Sequence, residues 1–215
     1  MRRVSAESKA YAGSGCDWVT GCGYAQDQAQ DLTQGFLTLL IEKNYLGGAD
    51  RQRGRFRIFL QTAVKHFMAN EWDRAHALKR GGGQSALSID PVQAESWYAP
   101  ELVEQQTPED LFERRWAFTV LEHAMSRLRA EFMGTERRSQ FDQLLIFLNG
   151  DPKGLGYEAV ASELGTSPGA LRVAVHRMRR RFRQLLRDEV AETVSEPEEI
   201  EEEIRFLIST VSNKS

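Results

Sequence analysis

Long apolar runs are missing from this 215-residue chain, and the lack of any stretch of about 18 apolar residues excludes a helical membrane span. Cysteine is nearly absent: Cys16 and Cys22 cannot build a disulfide framework. No Cys or His pair follows them at zinc-site spacing, which argues against a structural metal. The four histidines are scattered, no glycine-rich loop precedes a Lys-Ser or Lys-Thr pair, and no nucleophile motif occurs. An enzyme reading is therefore without support, and neither a catalytic residue nor a cofactor is expected. The N-terminus, MRRVSAESKAYAGSGCDW, opens on two arginines with no apolar core of signal-peptide length behind them. The expected location is the cytoplasm. Internal repeats are absent, as is low-complexity sequence ahead of the acidic end.

What remains is an ordinary globular composition, 41% hydrophobic and 27% charged, with its charges segregated. Residues 51–80 hold eight Lys/Arg against Glu71 and Asp73, and residues 172–187 hold seven arginines and no acid. Residues 188–204 then carry nine Asp/Glu and no base, so the net charge of -3 conceals two basic blocks. A solvated helix face accounts for a single basic stripe. Two separate blocks favour a polyanion partner.

Leu32, Phe36, Leu39 and Leu40 recur at three- and four-residue steps, which predicts an amphipathic helix over 27–43. NYLGGADRQRGR, residues 44–55, reads as a loop. Phe56, Phe59, Leu60, Ala63, Val64 and Phe67 predict a second helix to about Lys79, stopped by Gly81-Gly82-Gly83. Residues 84–106 show no sustained period and suit a tether. Thr107 as N-cap, Pro108 in the first turn, and Glu109 and Asp110 near the positive end of the dipole start a long helix running to about Glu131. Another runs from Arg138 to Leu148. The expected class is all-α, as two small helical domains joined by a flexible linker, with bounds 1–83, 84–106 and 107–190 and an acidic extension over 191–215.

The informative segment is GLGYEAVASELGTSPGALRVAVHRMRRRFRQLL. Tyr157, Val160, Ala161 and Leu164 make a short amphipathic helix; Gly165 permits the positive φ that ends it, and Ser167-Pro168 opens the next. Helix, tight turn and helix in this order suit a DNA-binding motif, with small Ala161 allowing close packing. Leu171, Val175, Met178, Phe182 and Leu185 mark the inner face of the second helix, leaving Arg172, His176, Arg179, Arg180 and Arg183 outward. A helix of about 20 residues spans roughly 30 Å and fits a major groove.

These residues resemble the bacterial RNA polymerase sigma factors of the extracytoplasmic-function group in the sigma-70 family, over roughly residues 24–205. DLTQGFLTLL resembles the region-two helix that grips the polymerase clamp, GRFRIFLQTAVKHFMANEWDRAHALKRGGG the promoter-melting helix, and LRVAVHRMRRRFRQLLRDEVAETV the region-four tail. The acidic end is similar to that of a subset often encoded beside serine/threonine kinases. The resemblance implies a sigma region 2 helical bundle and a sigma region 4 helix-turn-helix, with core RNA polymerase and promoter DNA as partners. It implies polymerase contacts at Asp31, Gln34, Phe36 and Leu40, though plain core packing explains Phe36 and Leu40 equally well. It places minus-ten contacts at Arg51, Arg53, Arg55, Lys65, His66, Asn70 and Arg74, with Trp72 stacking on a base or packing. Over the minus-thirty-five element it sets Arg172, His176, Arg177, Arg179 and Arg180, with Ser167 offering its hydroxyl to a phosphate. An anti-sigma factor or a serine/threonine kinase is the kind of regulator it allows.

One departure stands out. Where the family opens region two with a helix, this chain has SKAYAGSGCDWVTGCG, whose four glycines and lack of period predict no helix. In the tail, Ile200, Ile204, Leu207 and Ile208 predict a short amphipathic helix after Ser195-Glu196-Pro197. Charge complementarity suggests that it folds back onto the basic helix 172–187 or docks between the modules, hindering DNA binding; a solvated acidic end is the alternative. Two other functions fit the same features: a stand-alone helix-turn-helix transcriptional regulator, and a helical adaptor whose basic faces bind acidic proteins.

Overall fold

The computed structural model describes residues 12–42, 54–80, 107–133, 138–148 and 156–212. Among them the chain is all-helical, with eight α-helices and no strand. Contacts group it into two units, Met1–Trp116 and Ala117–Ser215. The tether expected over 84–106 lies outside the described residues. None of the described helices is long and apolar enough to cross a membrane.

The first unit contains α1 (Ala12–Gly21), α2 (Gln26–Glu42), α3 (Phe56–Arg80) and the opening turns of α4 (Pro108–Met133). The three- and four-residue apolar spacing becomes its core: Ala29, Phe36 and Leu40 of α2, Leu60, Val64 and Met68 of α3, and Phe112 and Trp116 of α4 are buried. Thr107 and Asp110 form a reciprocal cap at the start of α4, each backbone N–H donating to the other's side chain at 3.1 Å. Arg57, 6% exposed, is held by Glu113 at 3.1 Å.

α1 corrects the expectation of an irregular N-terminal segment. Its glycines are contact surfaces: a methyl built on Gly15 would lie 3.6 Å from Thr33 Cγ2, and one on Gly21 would lie 2.9 Å from Leu111 Cδ1. Trp18 and Val19 are buried, and the Trp18 ring meets Phe112 edge-on at 6.1 Å between centroids. Burial of these two side chains offsets the propensity cost of the glycines, which is about 1 kcal/mol each in a helix interior. Gly23, at φ 85°, then turns the chain into α2.

The second unit holds α4 from Ala117 onward, α5 (Arg138–Leu145), α6 (Tyr157–Glu163), α7 (Pro168–Ala191), a 3₁₀ turn (Pro197–Glu199) and α8 (Ile200–Ser212). Its core joins Val120, Ala124 and Leu128 to Phe141 and Phe147, to Val160 and Ala161, and to Leu171, Val175, Met178, Leu185 and Val190. The acidic end does form a helix. Glu196 and Glu199 cap the 3₁₀ turn reciprocally, Leu207 is wholly buried, and α8 packs on α7. Arg187 of α7 pairs with Glu201 of α8.

Candidate nucleic-acid interface

The turn between α6 and α7 is built locally. Gly165 sits at φ +62°, where a Cβ would be strained; its N–H donates to Ser162 O at 3.1 Å and that of Thr166 to Ala161 O at 2.9 Å. These two bonds satisfy carbonyls at the end of α6. Ala161 is 1% exposed, as close packing requires. Ser167 Oγ accepts from Ala170 N at 3.1 Å and Pro168, which has no N–H to satisfy, fills the first turn, so the serine caps one of the donors that the start of α7 leaves open. The Ser167 hydroxyl keeps its own proton to donate outward.

Along α7 the seven arginines separate into two groups. Arg172 is 5.2 Å from the Tyr157 ring centroid and 3.7 Å from Glu158 Oε1. Arg179, expected outward, is half-buried: Nε and Nη2 both donate to the Phe147 carbonyl, at 3.0 and 2.5 Å. Arg181 grips Glu131 in a fork at 2.9 and 2.5 Å, and its hydrogen bonds hold the Glu131 carboxyl below the usual carboxylate range. With Arg187 on Glu201, four arginines are engaged within the unit. His176, Arg177, Arg180 and Arg183 are exposed and, among the described residues, make no hydrogen bond or ion pair. They project over successive turns of the face opposite Leu171, Val175 and Met178.

At the other end of α7, Glu189 accepts from Arg127 Nη1 at 3.2 Å and lies 3.0 Å from His123 Nδ1, both on α4. Contacts with α4 and α8 thus fix the C-terminal half of the helix, while His176, Arg177, Arg180 and Arg183 stay exposed around engaged Arg179 and Arg181. The acidic end folds onto the basic helix, as the charge complementarity suggests, at its C-terminal end through Arg187, and leaves His176, Arg177 and Arg180 exposed.

In the first unit the expected site residues fare differently. Arg51 and Arg53 lie outside the described residues, and Arg55 is half-buried at the start of α3. Lys65 pairs with Glu109 at 2.8 Å and sits 5.0 Å above the Trp18 ring; Arg74 pairs with Glu71 at 2.7 Å. His66 and Asn70 are exposed and, among the described residues, make no hydrogen bond. Trp72 is 37% exposed and stacks on His76 at 3.7 Å between centroids, so a broad aromatic face stands on the surface of α3.

Of the two explanations offered for Phe36 and Leu40, core packing is the one their burial supports. Each is 2% exposed, and Phe36 packs on Phe67 at 5.6 Å between centroids. They face inward because they continue the apolar stripe of α2. Asp31 and Gln34 are exposed. A groove of about 1000 Å³ between α2 and α3 brings Asp31 together with Asn70 and Arg74, beside Gly35, Phe67 and Glu71.

Sequence reasoning missed two features of the site. Arg57 is the buried half of an ion pair, which no local pattern announces. Val173, 50% exposed on the outward face of α7, breaks the cationic run, and the helical period alone locates it. No family profile, curated protein or solved structure matches the chain.

Proposed function

We propose that the chain is a promoter-specificity subunit of bacterial RNA polymerase, a sigma factor of the extracytoplasmic-function kind. In this reading it binds core polymerase, recognises the minus-ten and minus-thirty-five promoter elements and directs initiation, while RNA synthesis stays with the polymerase. The observation that carries it is the exposed row His176, Arg177, Arg180 and Arg183 on a helix that follows a tight glycine turn and a serine cap. Such a helix lays base-reading side chains and phosphate-neutralising cations along one groove. Exposed Asp31 and Gln34 remain as the polymerase contact, and Trp72, His66 and Asn70 supply a stacking face and hydrogen-bonding groups for a separated strand.

A stand-alone helix-turn-helix regulator is favoured by one observation. In the first unit Arg57, Lys65 and Arg74 are paired with acids, so among the described residues the exposed cationic row lies in the second unit. The two readings part on polymerase. Purified chain is mixed with core RNA polymerase, co-elution is measured, and the genomic fragments transcribed by the mixture are mapped. Transcription from a shared bipartite promoter is the expected result. Sequence-specific duplex binding without co-elution would overturn it in favour of the stand-alone regulator.

A further inference from the structure

We infer that Val173 is a specificity-determining residue that reads a thymine methyl group in the major groove; the inference rests on the duplex-binding reading of α7. Helical geometry puts Val173 near the mid-line of the outward face, away from buried Leu171, Val175 and Met178 and one turn ahead of His176 and Arg177. Its side chain is 50% exposed although it is aliphatic and β-branched. Ahead of it, Gly169 and Ala170 are exposed and short, and a Cβ on Gly169 would meet nothing closer than Ser167 Oγ at 3.9 Å. Arg172 is drawn aside onto Tyr157 and Glu158. The opening turns of α7 therefore present a low apolar surface, with the free cations beginning one turn later.

That order matches the chemistry of a groove. The N-terminal residues of a recognition helix approach base edges, and a helix with no bulky side chain in its first turn approaches them closely. Of the four base edges in the major groove, thymine alone carries a methyl group. Valine offers it an apolar contact. His176, Arg177 and Arg180 then hold neighbouring bases or phosphates without competing for the same atom.

The test removes one methyl and nothing else. Duplexes are selected from a random pool with the full chain, both alone and bound to core RNA polymerase, and each thymine of the best duplex is replaced in turn by deoxyuridine. Wild-type chain is expected to lose about fourfold in affinity at one thymine, the effect of one apolar carbon removed from water. Val173→Ala should show no such loss at that position, and Val173→Ile should retain it. Both substitutions lie on an exposed helix face, and an unchanged melting temperature certifies the fold. Equal deoxyuridine sensitivity in wild type and Val173→Ala, or none at any thymine, overturns the inference while leaving duplex recognition standing. A selection that enriches no sequence overturns both.

Discussion

Replacing Gly15 and Gly21 by alanine, one at a time, should move stability in opposite directions. Both lie in α1, so each exchange gains up to about 1 kcal/mol from helix propensity and a less free unfolded chain. At Gly15 the new methyl would stand 3.6 Å from Thr33 Cγ2 and 4.0 Å from Phe36 Cδ1, which is ordinary contact and adds some burial. Gly15→Ala is expected to stabilise by about 1 kcal/mol. At Gly21 the methyl would stand 2.9 Å from Leu111 Cδ1 and 3.0 Å from Pro108 Cα. The leucine can rotate, but the capped backbone at the start of α4 cannot follow, and overpacking of this kind costs about 1–3 kcal/mol. The propensity gain is also smaller at the last residue of a helix. A net loss of about 1 kcal/mol follows, and the two variants should differ by about 2 kcal/mol. Urea titration followed by circular dichroism reads the sum over both units; amide hydrogen exchange over residues 14–21 reads α1 itself. Shifts of the same sign at both positions, or a more stable Gly21→Ala, would refute the packing described for α1.

The division of the arginines predicts that Arg179→Met destabilises the second unit by about 1–3 kcal/mol in thermal unfolding, through loss of two bonds to the Phe147 carbonyl. Arg180→Ala should leave the melting temperature in place and flatten the log–log salt dependence of duplex binding by about one unit of slope; an exchange of these phenotypes would contradict the division. Truncation after Ser195 should lower the melting temperature, since it removes wholly buried Leu207, without tightening DNA binding at low salt. Tighter binding by the truncated chain would restore the acidic end as a mask. Burial, and then the Glu109 carboxylate, push the Cys22 thiol up to about 11, so in a Cys16→Ser chain iodoacetamide should label it slowly at pH 8 and faster toward pH 11. The fold favours the neutral thiol, so this contribution to stability is whole below the ordinary value of 9.0 and is lost as pH rises through about 11; rapid labelling at pH 8 would contradict the burial.

Where a helix carries an apolar stripe and its own punctuation, the sequence discloses it. α2, α3, α4 and α7 begin within about a residue of the positions set by period, cap or proline. The Gly165 turn and the Ser167 cap are equally legible, because every group they need lies within a few residues. α1 was hidden because the cost of its glycines is local, while the groups that offset it, Thr33, Phe36, Leu111 and Pro108, lie elsewhere in the chain. The same distinction governs the site. Periodicity finds the outward face of α7, but Arg179 is engaged by a carbonyl 32 residues away and Arg181 by a carboxylate 50 residues away. At Phe36 and Leu40 the apolar period alone accounts for their burial.

The turn before α7 also bears on which structures the chain avoids while folding. Val160, Leu164, Leu171, Val175 and Met178 stay in helical phase, with one seven-residue step across the turn, so one unbroken rod through 157–191 is the nearest rival conformation. In that rod Pro168 would clash with the Leu164 carbonyl, at about 3 kcal/mol, and Gly165 would add about 1 kcal/mol. Together these disfavour the rod roughly a thousandfold. Its continuous apolar seam would draw two chains into a coiled coil. Two residues at the bend thus keep that seam folded on the chain's own core and close a route to association.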